Sequence, residues 1–248
     1  MHRTEFADAE YYHVYNRGVE KRDIFLGARD YERFLFTLFA CNDRHSHLNA
    51  RHQYRDLNSV YEVERLARKQ GRRELLVGVV CFCLMPNHVH LLLQQHGKNG
   101  IPLFMQKVGT AYTMYFNKKY DRSGALFQGT YRAIHVPSDR YFLPLTRYIH
   151  LNPLDLRVPY WRERGVPRAP WVQRFLADYR WSSYADYAGG NRYRFLLQQD
   201  LLRSIFKTSP DYAHYVRVGG RGTLRAISDH AQWDREEKKP RLNLGKLR

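Results

Sequence analysis

Cysteine is scarce: Cys41, Cys81 and Cys83 are the only three in 248 residues. An odd number without framework spacing excludes a fold held by disulfides. Cys81 and Cys83 sit in an apolar run, where cysteine packs as a small hydrophobe. No stretch of 18 apolar residues occurs, so no membrane span is expected. The opening M-H-R-T-E-F-A-D-A-E has no apolar signal region, and the expected location is the cytoplasm. Internal repeats are absent too. Acidic residues are few: 24 Asp and Glu stand against 41 Lys and Arg, a formal net charge of +17.

That surplus points to a polyanionic partner. Aromatic residues make up 15% of the chain, with 19 tyrosines. Basic surface mixed with rings suits single-stranded nucleic acid, whose bases stack and whose phosphates pair with arginine. A hydrophobic fraction of 44% is enough for a full core.

In chain order, strand formers over 11–17 end at Gly18. Tyr31, Phe34, Leu35 and Leu38 then recur at helical spacing over 29–39. Residues 42–58 are polar and carry His45, His47 and His52, which reads as an exposed insert contacting phosphate or as a metal tract. A short helix is expected over 60–70. Apolar runs 75–85 and 89–93 flank Pro86-Asn87, a pair that turns the chain. The spacing predicts a helix over 101–120, closed by Lys118-Lys119, and a strand starting at Leu126 or Thr130 and ending at Val136. Ser138 is a fitting N-cap for a further helix that carries Pro144 and stops at Pro153. The Pro- and Arg-rich 157–170 reads as a surface loop, followed by helical pieces and a charged tail. Strand, helix, strand, strand, helix, strand, helix fits an α+β fold. The expectation is a ferredoxin-like antiparallel sheet with helices on one face and a helical C-terminal extension. The expected divisions are a core over 1–157, with its insert at about 42–58, an extension over 158–230 and a flexible tail over 231–248.

His88 and His90 are two apart on the second apolar run, so both imidazoles point to one face of a strand. Two neutral imidazoles so placed can share a metal ion; they can equally be satisfied polar residues. Tyr148 and Asn152, four apart, share a helical face. Spacing alone also admits an interior tyrosine with a capping asparagine.

Met85–Leu93 (M-P-N-H-V-H-L-L-L), Tyr115–Arg132 (Y-F-N-K-K-Y-D-R-S-G-A-L-F-Q-G-T-Y-R) and Arg147–Leu154 (R-Y-I-H-L-N-P-L) occur in an order that resembles the single-tyrosine HUH transposases, specifically the REP-associated tyrosine transposases of bacteria. Y-H-V-Y-N-R-G near the N-terminus and W-S-S-Y at 181–184 match as well, so the resemblance spans about 10–187. It implies that His88 and His90 bind one divalent ion, Mg²⁺ or Mn²⁺, that Tyr148 is the nucleophile, and that Asn152 is a third ligand. It further implies a single-stranded DNA hairpin as substrate, nucleoid association, and cleavage and rejoining through a covalent 5′-phosphotyrosine. Arg17, Arg22, Arg122 and Arg132 are candidate backbone contacts. No obligate protein partner is expected, and a monomer or homodimer would serve. After the helix many relatives read N-P-V-R-A-G, whereas here Asp155 intrudes and the base is displaced to Arg157. Tyr112 and Tyr115 are rival nucleophiles. Two other function classes remain open, a hairpin-binding regulator that does not cut and a metal-dependent phosphodiesterase that uses water.

Overall fold

The computed structural model describes residues 5–45, 65, 73–137 and 139–219. The expected helix over 60–70, most of the polar insert with His47 and His52, the Ser138 cap and the charged tail lie outside the described residues.

Four strands, β1 (Tyr11–Arg17), β2 (Val77–Met85), β3 (His88–Gln95) and β4 (Arg132–His135), form one antiparallel sheet in the order β2-β3-β1-β4. Helix α1 (Ala28–Cys41) connects β1 to β2, and α2 (Gly100–Lys119) connects β3 to β4. This is the expected ferredoxin-like α+β arrangement. Strand β4 is shorter than expected, because the chain from Leu126 approaches β1 only at a single bridge, Gly18 to Phe127, before pairing begins.

Side chains alternate across the sheet, and each face has its own core. Tyr12, Val14, Val89, Leu91 and Leu93 pack with the apolar stripes of α1 and α2. The two helices are also tied through Asp30, fully buried in the first turn of α1. Its carboxylate accepts from the Leu26 and Gly27 amides, Lys119 Nζ, Tyr115 and Tyr120. Burial alone would raise its pKa, but these hydrogen bonds outweigh that and hold it below the usual carboxylate value.

The opposite face is covered as well, which the one-sided layering expected from the sequence does not anticipate. Helix α3 (Asp139–Leu151), with Pro144 inside it, lies there. With it pack α4 (Trp161–Arg164), α5 (Trp171–Asp178), α6 (Tyr184–Tyr187), α7 (Asp200–Ile205) and α8 (Ser209–Val218). A bulge between Val79 and Cys81 shifts the phase of β2, so Val80 and Cys81 both face this second core. The extension also covers the edge of β2: Leu84 N–H donates to Trp181 O, Ser183 N–H to Phe82 O, and Phe82 N–H to Ser183 Oγ. An open strand edge is thereby closed. The reading of 157–170 as a surface loop fails at Trp161, which is fully buried and opens α4. Its indole N–H donates to Asp155, so burial leaves its polar end satisfied. Among the described residues no helix is long and apolar enough to cross a membrane.

Candidate active site on the second face of the sheet

The turn at Pro86-Asn87 fixes where β3 begins. Asn87 O accepts from Gly18 N–H, and Pro86 O from Ile24 and Phe25 N–H. Gly18 lets the segment at Arg22 fold back close to the end of β1, since a Cβ there would lie 2.2 Å from Arg22 O. From that start the alternation sends Val89 and Leu91 into the first core and His88 and His90 to the second face, beneath α3.

The two rings stand nearly perpendicular, 86° apart with centroids at 5.0 Å. His88 Nδ1 lies 2.6 Å from Asn87 Oδ1. A carboxamide oxygen only accepts, so Nδ1 carries the proton and Nε2 the lone pair. His90 Nδ1 lies 2.9 Å from His13 Nε2, and the two rings stack at 5.1 Å. Burial pushes His88 down to about 4, with Asp155 opposing and Arg162 and Arg17 adding to the fall. It takes His13 down to about 3 and His90 well below the usual histidine value, the latter also through the neighbouring His88, His13 and Arg162. All three imidazoles are neutral at pH 7.

Tyr148, on α3, is fully buried with its ring edge-on to His90 at 5.7 Å and to His13 at 6.1 Å. Its hydroxyl and His90 Nε2 are both buried without a hydrogen-bond partner among the described residues. Buried polar atoms are seldom left so. The helix ends as Asn152 begins a 3₁₀ turn (Asn152–Leu156). Asn152 Nδ2 donates to Tyr148 O at 2.9 Å, and its Oδ1 accepts from Arg162 Nη2 at 2.9 Å. One lone pair of Oδ1 is therefore committed and the second is not. The Arg162 guanidinium lies 5.5 Å from the centre of the Tyr148 ring and also donates to Asp155.

The rival tyrosines lie elsewhere. Tyr112 is in the first core and donates to Ile24 O at 2.5 Å; Tyr115 donates to Asp30. Of the four candidate backbone contacts, Arg17 is only 1% exposed. It is opposite His88 in the sheet register and donates to Gln128 Oε1 through Nε and Nη2. Arg22 pairs with Glu20, Arg122 donates to Asn117, and Arg132 is exposed on β4.

Sequence reasoning gave no site role to three members of this cluster: His13, Asp155 and Arg162. For His13 a signal was present, because 13 and 17 share a strand face, but only the register of β1 against β3 brings it to His90. Among the described residues no group of three or more His, Cys, Asp or Glu is arranged to hold a metal ion. The two Nε2 atoms nevertheless suit a divalent cation, since each ring is neutral and held through its other nitrogen. Remaining ligands would come from a carboxamide, such as the second lone pair of Asn152 Oδ1, or from bound substrate and solvent.

Residues 37–152 match the family model described as "Transposase IS200 like". That span holds His88, His90 and Tyr148 and ends on Asn152; it leaves out His13, Asp155 and Arg162. No curated relative matches in sequence. Among solved structures, one titled as a REP-associated tyrosine transposase bound to a REP hairpin is similar at 10% identity and a TM-score of 0.47. The match covers 81% of this chain and 92% of that one.

Proposed function

With residues 37–152 matched to the IS200-like transposases, we propose that the chain cleaves and rejoins single-stranded DNA beside hairpins, with Tyr148 as covalent nucleophile. The observation that carries this reading is the Tyr148 hydroxyl, buried and unpartnered among the described residues, on a ring set edge-on to His90. A tyrosine kept only for packing would be expected to satisfy its hydroxyl.

In the forward step the Tyr148 oxygen bonds to phosphorus and loses its proton, and the bond from phosphorus to the 3′-oxygen breaks. The departing 3′-oxygen takes up a proton as a free 3′-OH, and the 5′-phosphate stays esterified to the enzyme. Attack by another 3′-OH reverses the step and rejoins strands without an external energy source. A divalent ion, Mg²⁺ or Mn²⁺, when bound would offset negative charge on the phosphate. His88 and His90 would hold it through Nε2, with Asn152 contributing Oδ1. Imidazole favours Mn²⁺ over Mg²⁺, so Mn²⁺ binds more tightly. Asn87 keeps the His88 ring in the required tautomer, the His13 contact orients the His90 ring, and burial keeps both unprotonated. The net positive charge holds the hairpin by its phosphates, with Arg22, Arg122 and Arg132 as backbone contacts. Binding therefore weakens steeply with salt. The site is assembled within one chain, so a monomer suffices.

The test is incubation with a labelled single-stranded hairpin, taken from DNA bordering the protein's own gene, with Mn²⁺, followed by a denaturing gel. A protein-linked band that disappears in Tyr148→Phe is the expected result. Cutting that persists in Tyr148→Phe indicates attack by water, and retention without cutting indicates a regulator; either would overturn the proposal.

A further inference from the structure

Two arginines follow the nucleophile's helix, and the structure sends them in opposite directions. Arg157, the displaced basic residue, lies over the Trp171 ring at 4.5 Å and near Phe175 at 5.7 Å. Arg162 turns inward. Its side chain is 7% exposed and reaches Asn152 Oδ1, the Asp155 carboxylate and the face of Tyr148. Its charge is also felt at His88 and His90, so it stands close to every group assigned to the reaction.

The Asp155 carboxylate is itself mostly buried, 18% exposed, and receives both Arg162 Nη1 and the Trp161 indole N–H. Carboxylate and phosphate present the same planar pair of acceptors to a guanidinium. An acid that stands where relatives are basic is thus neutralised from within, by an arginine seven residues on. The paired guanidinium lies over the Tyr148 ring, and the nucleophile is fully buried.

We propose that Arg162 binds the scissile phosphate in this chain, and that Asp155 occupies the guanidinium in the closed site as an internal stand-in for that phosphate. This rests on the reading of Tyr148 as nucleophile. Substrate binding then exchanges one anion for another: the phosphate displaces Asp155, and the guanidinium is retained over the Tyr148 ring. Bare hairpin stems, which put no phosphate at Tyr148, leave the pair intact.

The test is equilibrium binding without divalent metal, where no cleavage intervenes. The probes are a fluorescein-labelled hairpin with single-stranded flanks and the same hairpin with blunt ends, each over a salt series. Wild type is compared with Asp155→Asn and with Asp155→Asn/Arg162→Gln, a double variant that leaves no buried charge unpaired. Thermal unfolding shows that folded chains are being compared. Asp155→Asn is expected to bind the flanked hairpin about tenfold more tightly, the worth of one charge-assisted contact. Its salt slope should steepen by roughly 0.7, the value for one single-strand phosphate. The double variant should lose both effects, and the blunt hairpin should show neither. No tightening in Asp155→Asn, tightening that survives in the double variant, or equal tightening on the blunt hairpin would each overturn the proposal. Failure of the nucleophile reading appears separately, as a protein-linked band that does not depend on Tyr148.

Discussion

His13 lies in the Y-H-V-Y-N-R-G motif with no role assigned to it from sequence, yet its imidazole is the group that holds His90. Replacing it with phenylalanine keeps a ring of similar size in the stack, whose centroids are 5.1 Å apart, and removes the 2.9 Å hydrogen bond. His90 Nδ1 would then be buried without that partner, at a cost to folding of about 1–3 kcal/mol. Taking about 2 kcal/mol, the unfolding midpoint of a chain this long falls by about 4–8 °C. A second effect is specific to the site. Loss of an outer hydrogen bond to a metal-binding histidine weakens metal affinity by about 10–100-fold, or about 1.4–2.7 kcal/mol. Calorimetric titration of the full chain with Mn²⁺ reads this directly, and thermal unfolding in chelator reads the folding cost alone. His13→Gln restores a polar partner and should recover part of the Mn²⁺ affinity. If His13→Phe melts lower but binds Mn²⁺ as tightly as wild type, His13 only fills space and the reasoning fails.

Three other outcomes are expected. Asp30→Asn replaces a buried carboxylate by a weaker acceptor for Lys119, Tyr115 and Tyr120 and should cost about 2 kcal/mol at pH 7 in urea unfolding. Because the native carboxyl is held below its unfolded value near 3.8, its contribution is present above that pH and is lost as pH falls through the folded pKa. Asp30→Asn should therefore flatten the acid limb of the stability profile. Ser183→Ala deprives Phe82 N–H and His150 Nε2 of their partner and should cost about 2 kcal/mol without changing Mn²⁺ affinity; a change in that affinity would show that the β2 edge and the site are coupled. Stripping divalent ions with chelator should abolish the protein-linked DNA band while leaving hairpin retention in place, and cutting that persists would remove the metal from the reading.

The legible part of this chain was the part written locally. Strand-forming residues located β1, an apolar run located β3, and the period of two along a strand gave the common face of His88 and His90. Spacing at three and four located α1 and α2, and the proline after Asn152 marked where α3 stops. Harder were the contacts set by register and return. His13 meets His90 only because β1 lies between β3 and β4, and no spacing within 11–17 reveals that. Trp161 and Arg162 sat in a Pro- and Arg-rich stretch that has the composition of surface, and their burial depends on Asp155 accepting from both. Arg17, read as a candidate backbone contact, is placed by its strand position opposite His88 on the covered face, where it donates to Gln128.

The extension beyond residue 157 is where these non-local contacts converge, and it packs directly on the sheet. Sheet and α3 alone would leave Val80, Cys81, Cys83, Met85 and Leu92 facing a layer completed by Val172, Leu176, Tyr184, Tyr212 and Val216. They would leave the β2 edge without Ser183 and His150 without Tyr212, to which its Nδ1 is hydrogen-bonded at 2.6 Å. They would also remove Arg162 from Tyr148. A ferredoxin-like sheet with helices on one face has a second face free for a ligand as large as DNA. Here that face carries the candidate site and is covered by the chain's own helices, so reaching the Tyr148 hydroxyl requires part of this cover to move.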